Sequence, residues 1–245
     1  MTTLFVSDLH LSAERPRKVE QFLSFLTGVR GRAERLYILG DLFEVWLGDD
    51  DDTPPYPEIV RALRGLSDAG VRLHIGSGNR DFLFGRRFAL DTGAELLGDY
   101  TLVNLYGERT LLTHGDLLCT RDVKYQRFRK IVRNPVISAA FVRTPLRWRK
   151  RIATRTRDGT QASMKTKSPD IMDVEQTTVA NVMARYNAAR LVHGHTHRPA
   201  IHNFELSGAQ CQRIVLGDWY EDDDVVCIDA GGVTRRNVSD YLSDV

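Results

Sequence analysis

Short apolar runs alternate with amphipathic segments along most of the chain. "TLFVSDLH" opens with an apolar run that stops at Asp8 and His10. Val19, Phe22, Leu23 and Leu26 follow at i, i+3, i+4 and i+7, the spacing of one helix face. "ERLYILGDLFEVW" reads as a second buried strand ending at Gly40-Asp41, and Ile59, Val60, Leu63 and Leu66 mark a second helix. "VRLHIGSGNRDF" is a third strand ending at Asn79, and "ERTLLTHGD" a fourth ending at His114. Val179, Val182, Met183 and Tyr186 share a helix face ahead of "ARLVHGHTH", a fifth strand. The tail "QRIVLGDWYEDDDVVCIDAGG" alternates strand-like runs with turns. Strands alternating with helices predict βαβ units, hence an α/β fold with a largely parallel sheet core. Ligands in such sheets bind at the C-terminal strand ends, and all five ends here carry Asp, His or Asn.

One segment breaks the alternation. Within residues 120–168, Asn134-Pro135 and Thr144-Pro145 each pair a capping residue with proline at the first helical position, predicting two helix starts. Ile131, Val132, Val136, Ile137, Phe141, Val142, Leu146, Trp148 and Ile152 interleave with arginines. The reading is a helical insertion with an apolar and a cationic face, carried by a single domain over 1–245.

Composition changes this picture little. With 42% hydrophobic and 27% charged residues the 245-residue chain is an ordinary globular one. No run approaches the roughly 18 apolar residues of a spanning helix, and the N-terminus lacks the basic and apolar regions of a signal peptide. Cys119, Cys211 and Cys227 are odd in number without short-spaced pairing, which suits a reducing cytoplasm and burial as small apolar residues. Charge changes it more. Residues 121–167 hold 15 Lys and Arg against two Asp, a local +13 in a chain of net +2. Such asymmetry predicts an anionic partner for the insertion.

The candidate chemistry lies in the histidines. Three of the seven fall at 193, 195 and 197. Alternate residues of a strand point one way, and in a tight turn after a strand they can converge. Converging neutral imidazoles are a metal-ligand arrangement. Asp8, His10, Asp41, Asn79 and His114 add oxygen and nitrogen donors at the other strand ends. Asp8, His10, Asp41, Asn79, His114, His195 and His197 are too many for one tetrahedral site and suit two five- or six-coordinate ions with a bridging aspartate. Two metals about 3.5–4 Å apart acidify a water between them and clamp the oxygens of a phosphoryl group undergoing in-line displacement. Each motif alone is a weak signal, since an Asp-x-His pair is common and "GNRD" or "GDLF" also reads as a turn. Five in this order, each after an apolar strand, point to phosphoester or phosphoanhydride hydrolysis.

The series "DLH", "GDLFEVW", "GNRD", "THGD" and "HGHTH" resembles the calcineurin-like metallophosphoesterases. Within that superfamily, "GDDDD", the basic insertion, "KSPDIMDV" and "HGHTHRPAIH" resemble the UDP-2,3-diacylglucosamine diphosphatase family of lipid A biosynthesis, nearly end to end. The resemblance implies a four-layer α/β/β/α sandwich whose insertion forms a lid over substrate and acyl chains. It implies one metal on Asp8, His10 and His197, another on Asn79, His114 and His195, and Asp41 bridging, with Mn²⁺ the expected ion. His193, His74 and His202 are then structural or surface residues. The implied reaction is attack of water on the α-phosphorus of UDP-2,3-diacylglucosamine, giving UMP and 2,3-diacylglucosamine 1-phosphate (lipid X).

Arg80 stands where many superfamily members have a histidine that protonates an alkoxide. An anhydride expels a phosphate, a good leaving group that needs charge neutralisation more than a proton, and a planar guanidinium supplies it. Arg80 and Asp41 are therefore the catalytic candidates. By resemblance, Asn79, Arg80, Asp122, Thr160, Met164, Lys167 and His195 contact substrate. Thr160 keeps a hydroxyl where serine is familiar, whereas Met164 replaces an asparagine and loses its hydrogen bond. Nothing in the sequence demands an oligomer, so a monomer is expected, and the basic amphipathic face predicts peripheral docking on the cytoplasmic face of the inner membrane, with no nucleic-acid partner. Two rival readings are another dinuclear enzyme, a nuclease or phosphodiesterase, and a non-catalytic protein on a degenerate fold. The apolar character of the insertion opposes the first, and the complete ligand set opposes the second.

Overall fold

The computed structural model describes residues 2–164, 173–220 and 223–243, with backbone only for 157–164. The chain runs β1 (Thr2–Val6), α1 (Pro16–Val29), β2 (Ala33–Leu39), α2 (Tyr56–Asp68), β3 (Arg72–Gly76), α3 (Arg86–Thr92), β4 (Glu95–Leu96), β5 (Thr101–Leu105) and β6 (Glu108–Leu112). Three consecutive helices follow, α4 (Val123–Val132), α5 (Pro135–Val142) and α6 (Leu146–Met164). The remainder is α7 (Gln176–Tyr186), β7 (Arg190–His193), β8 (Ala200–Leu206), β9 (Ala209–Val215), β10 (Asp224–Asp229), β11 (Gly232–Asn237) and α8 (Val238–Ser243).

The strands form two sheets rather than one, ordered β11-β10-β1-β2-β3-β4 and β5-β6-β7-β9-β8. Each has a parallel centre, β1-β2-β3-β4 in one and β6-β7-β9 in the other. The first sheet adds antiparallel β10 and β11 on its β1 side and the second an antiparallel strand at each edge, so the expected largely parallel core holds only in part. The tail supplies the outer strands of the first sheet.

Period-two alternation sends the two faces of each central strand into different layers. Leu4 and Val6 of β1, Leu36 and Ile38 of β2, and Val225 and Cys227 of β10 pack under Phe22, Phe25, Ile59 and Leu63 of α1 and α2. Phe5, Tyr37, Leu39, Val226 and Ile228 face the other way and meet Leu112, Val192 and Ile214 of the second sheet. The second sheet turns Leu111, Leu191 and Cys211 outward onto Val179 and Met183 of α7. The result is α/β/β/α. Strands buried on both faces read as unbroken apolar runs for this reason, and each fully buried Leu, Ile or Phe contributes about 1.5–3 kcal/mol.

The insertion is built differently. Asp122 caps α4, accepting from the Tyr125 backbone N–H at 3.1 Å, and Asn134 caps α5 ahead of Pro135. The predicted cap at Thr144 does not form: its hydroxyl donates back to the Phe141 carbonyl at 2.7 Å, and α6 starts one residue after Pro145. Val123, Phe128, Ile131, Val136, Ile137, Val142, Trp148 and Ile152 are exposed, Val136 by 78%. Among the described residues, the apolar side chains of α4–α6 are largely exposed, with Phe141 packed against the main core. Arg149, only 1% exposed, anchors α6 to the acidic loop after β2. It donates to the carbonyls of Leu47 and Thr144 and pairs with Asp50, while Lys150 pairs with Asp51 at 3.2 Å.

Candidate metal centre

The expected ligands lie just past the C-terminal ends of β1, β2, β3, β6 and β7, three strands of one sheet and two of the other. His193 is the last residue of β7, and His195 and His197 sit in the turn after it. Five ligands occupy left-handed backbone: Asp8 (φ 56°), His10 (50°), Asp41 (52°), His195 (70°) and His197 (52°). That conformation costs an L-residue roughly 1–2 kcal/mol, and such strain concentrates at functional sites. Cross-links between the turns hold it. Asp8 N–H donates to Gly40 O at 3.1 Å, His10 N–H to Asp41 O at 2.9 Å and Gly194 N–H to His114 O at 2.8 Å. The Arg80 N–H donates to Asp41 Oδ1, and the His195 N–H to Asp8 Oδ2, each at 2.8 Å. Gly40 is required at φ 94°, where a Cβ would come within 2.6 Å of His114 Nδ1 and 2.7 Å of Gly78 N.

Two clusters of ligand atoms result, Asp8–His10–His197 and Asp8–Asp41–His114, each within 4.8 Å. Asp41 Oδ2 is 3.8 Å from both His10 Nε2 and His114 Nε2, between the two. Asp8 belongs to both clusters, so its carboxylate reaches further than a ligand of one ion alone. Asn79 and His195 stand together, with Asn79 Nδ2 3.1 Å from His195 Nδ1. The His195 ring meets that of His114 edge-on at 5.1 Å.

Partners around the ligands fix the imidazole tautomers. His114 Nδ1 donates to Leu39 O at 2.9 Å, leaving the Nε2 lone pair free. His197 Nδ1 lies 2.8 Å from Asp218 Oδ2, and its Nε2 faces Asp8 Oδ1 at 3.3 Å. Such carboxylate–histidine pairs orient metal ligands and raise their basicity. His10 Nε2 and His114 Nε2 are buried and make no hydrogen bond. Buried polar atoms are normally satisfied, so these two fit metal ligation.

The electrostatics agree. Burial pushes the Asp41 carboxyl up to about 6, despite the neighbouring His114. Burial and the adjacent Asp41 push Asp81 up to about 7. Burial also holds His10 and His195 down to about 4, whereas at His114 the Asp41 and Asp8 carboxylates outweigh burial and raise the ring above its ordinary value. At His197 burial pulls down, but hydrogen bonds to Asp218 and Asp8 outweigh it and carry the ring to about 10. Burial opposes ionisation of Asp8 as well, yet His197, His114 and His10 hold it well below the carboxylate range. Closely spaced buried carboxylates with imidazoles form a donor set that divalent cations complete, and the residues present fit two such ions.

The other predicted residues are placed as follows. Arg80 joins the rim, with Nη1 3.0 Å from Glu44 Oε1. His193 is turned away: its ring nitrogens meet Gly194 O at 2.9 Å and Arg213 Nη1 at 3.2 Å. Asp122 caps α4 through the Tyr125 backbone N–H. Thr160 and Met164 lie on α6 with side chains outside the described residues, as does Lys167 altogether. Five residues escaped the sequence reading. Asp81 and Asp116 close the "GNRD" and "THGD" motifs, so a signal was present. Asp81 accepts from the N–H groups of Asp41, Leu42, Phe43 and Gly78, tying the turns after β2 and β3 together. Asp116 pairs with Arg129 at 2.6 Å. Glu44, Tyr125 and Asp218 reach the site only through the fold.

The calcineurin-like phosphoesterase family model matches residues 1–199. A UDP-2,3-diacylglucosamine hydrolase of Serratia proteamaculans is 47% identical, covering 95% of this chain and 97% of its own. Relatives of the same name are 45% identical in Vibrio parahaemolyticus (97% and 98%) and in Stenotrophomonas maltophilia (95% and 96%). A solved archaeal phosphodiesterase superposes with a TM-score of 0.47 at 12% identity, covering 96% and 99%. The matched family and the ligands converging from both sheets agree, and the chain belongs to the calcineurin-like phosphoesterase family.

Proposed function

We propose that this chain hydrolyses UDP-2,3-diacylglucosamine at the α-phosphorus, releasing UMP and 2,3-diacylglucosamine 1-phosphate. The observation that carries the reading is identity of 45–47% over nearly the whole chain with hydrolases of that name. Asp8, His10 and His197 would hold one divalent cation, Asn79, His114 and His195 the other, and Asp41 both. Bound cations, Mn²⁺ in this reading, would supply Lewis acidity and an acidified water. Arg80 neutralises charge on the phosphoryl oxygens. Glu44 takes a hydrogen bond from Nη1, and a guanidinium has five donors, so several remain for substrate. Glu44 thereby holds the fork in place before substrate arrives.

The insertion serves the lipid. Its exposed apolar residues on α4–α6 suit acyl chains, and its cations suit a diphosphate headgroup, with Asp122, Thr160, Met164 and Lys167 the proposed contacts. The same faces support peripheral docking on anionic lipid at the inner membrane. No helix among the described residues is long and apolar enough to cross a membrane. Salt-sensitive co-sedimentation with anionic vesicles tests docking, and no binding at low salt would overturn it.

The test of the reaction is UMP release from UDP-2,3-diacylglucosamine with Mn²⁺, after chelation, and after metal is restored. Metal-dependent release of UMP with the 1-phosphate lipid is expected. Faster hydrolysis of bis-p-nitrophenyl phosphate without UMP release would keep the metal centre and overturn the substrate.

A further inference from the structure

We propose that Tyr125 is a positioning residue that turns the Asn79 amide oxygen toward His195, making α4 part of the metal centre rather than of the acyl-chain cover. The inference rests on the two-metal reading above and deepens it.

Tyr125 stands in the first turn of α4. Its hydroxyl meets the Asn79 side-chain amide at Oδ1 and donates to Asp116 Oδ2 at 2.7 Å, two acceptor oxygens for one phenolic proton. Its ring lies 28° from the plane of His195, with centroids 6.4 Å apart. One side chain thus touches two expected ligands of the same cation. The helix that carries it is pinned. Arg129 donates to Asp116 Oδ2 and to Asp99 Oδ1, both at 2.6 Å. Gln126 donates to Asp116 O at 2.7 Å, and Arg133 to the carbonyl of Gly78, the residue before Asn79, at 2.6 Å. These contacts fix α4 against the turns after β3 and β6, whereas α5 buries none of its own residues.

An asparagine ligates a hard cation through its oxygen, because the amide nitrogen lone pair is delocalised. Its NH₂ group then needs an acceptor. A phenol has one proton and can accept as well as donate, whereas a carboxylate only accepts. Asp116, with Arg129 on the same oxygen, accepts the Tyr125 hydrogen bond. The Tyr125 oxygen is thereby free to accept from the Asn79 NH₂. Turning the amide over about its last bond exchanges Oδ1 and Nδ2 and keeps both contacts, with Nδ2 on Tyr125 and Oδ1 beside His195. Phenylalanine at 125 would keep the ring stacking and leave the NH₂ group without that acceptor.

The experiment compares the full-length chain with Y125F by equilibrium dialysis of Mn²⁺ and by electron paramagnetic resonance. The first Mn²⁺ should bind both alike. The second should bind Y125F about 10–100-fold more weakly, the usual loss when a ligand's outer partner is removed. The spin-coupled signal of a Mn²⁺ pair should fade in Y125F at stoichiometric metal and return with excess Mn²⁺. Metal-free melting should fall by no more than about 2–4 °C, the loss of the single Asp116 hydrogen bond, which separates positioning from folding. Second-site affinity within twofold of the unmodified chain, with the coupled signal intact, would overturn the proposal. An unmodified chain that binds one Mn²⁺ would overturn it together with the two-metal reading. The Tyr125 difference in a chain that leaves UDP-2,3-diacylglucosamine uncleaved would support it and overturn only the substrate.

Discussion

Asp81→Ala tests whether a buried carboxylate organises the rim. Asp81 is 0% exposed. Its Oδ1 accepts from Gly78 N–H at 2.7 Å and Asp41 N–H at 3.3 Å, and its Oδ2 from Leu42 N–H at 2.7 Å and Phe43 N–H at 3.3 Å. Alanine removes the acceptor and strands these donors away from water. An unsatisfied buried donor costs about 1–3 kcal/mol, so the two short bonds alone give a loss of about 2–6 kcal/mol. That is a large part of the ~5–15 kcal/mol that holds a typical domain. With a urea slope near ~3 kcal/mol per M, the midpoint should fall by about 0.7–2 M. Urea unfolding of the metal-free protein followed by tryptophan fluorescence reads it. Asp81→Asn should recover only part of the loss, because its NH₂ points a donor at two backbone donors. A midpoint shift below about 0.3 M for Asp81→Ala would refute the reasoning.

Three further outcomes are expected. Asp41→Ala removes the carboxylate that stands between His10 and His114, so metal analysis should show loss of bound Mn²⁺ and turnover should be abolished; retained activity would mean that Asp41 does not bridge. Arg80→Ala should lower kcat by about 10²–10³, as for loss of one preorganised donor, with metal content unchanged; a collapse in metal content would reassign Arg80 to the ligand scaffold. The Arg149 hydrogen bonds hold the Asp50 carboxyl below its ordinary value. A lowered folded pKa gives stability that is complete above the ordinary aspartate pKa of about 4 and is lost as pH falls through the folded value. Melting from pH 6 to 3 should therefore fall less steeply in Asp50→Asn than in the unmodified chain, and equal slopes would refute the pairing.

The helix faces and strand runs were legible because local periodicity follows burial. Val19, Phe22 and Leu26 are buried on α1, and Ile59, Leu63 and Leu66 on α2. The strand-end positions of the seven candidate ligands were legible for the same reason, since each motif follows an apolar run. The division into two sheets was not, because a strand buried on both faces has the same pattern whichever sheet it joins. Nor was the meeting of "GDDDD" with the insertion. The basic insertion predicts an anionic partner but not which one, and Asp50 and Asp51 pair with Arg149 and Lys150 across about a hundred residues.

The sequence by itself determined which side chains stand at the strand ends, and hence the chemistry: carboxylates, imidazoles and an amide suited to two divalent cations, with Arg80 beside them. Tertiary structure decided how they are held. Asp218 on His197, Glu44 on Arg80 and Tyr125 on Asn79 come from other turns and another helix. No local pattern announces them, because a hydrogen bond between distant segments leaves no periodicity in either. The left-handed turns at Asp8, His10, Asp41, His195 and His197 are likewise imposed from outside. Their strain is borne by cross-links between turns that follow different strands, most of them within one sheet and one, from the His195 N–H to Asp8 Oδ2, between the two.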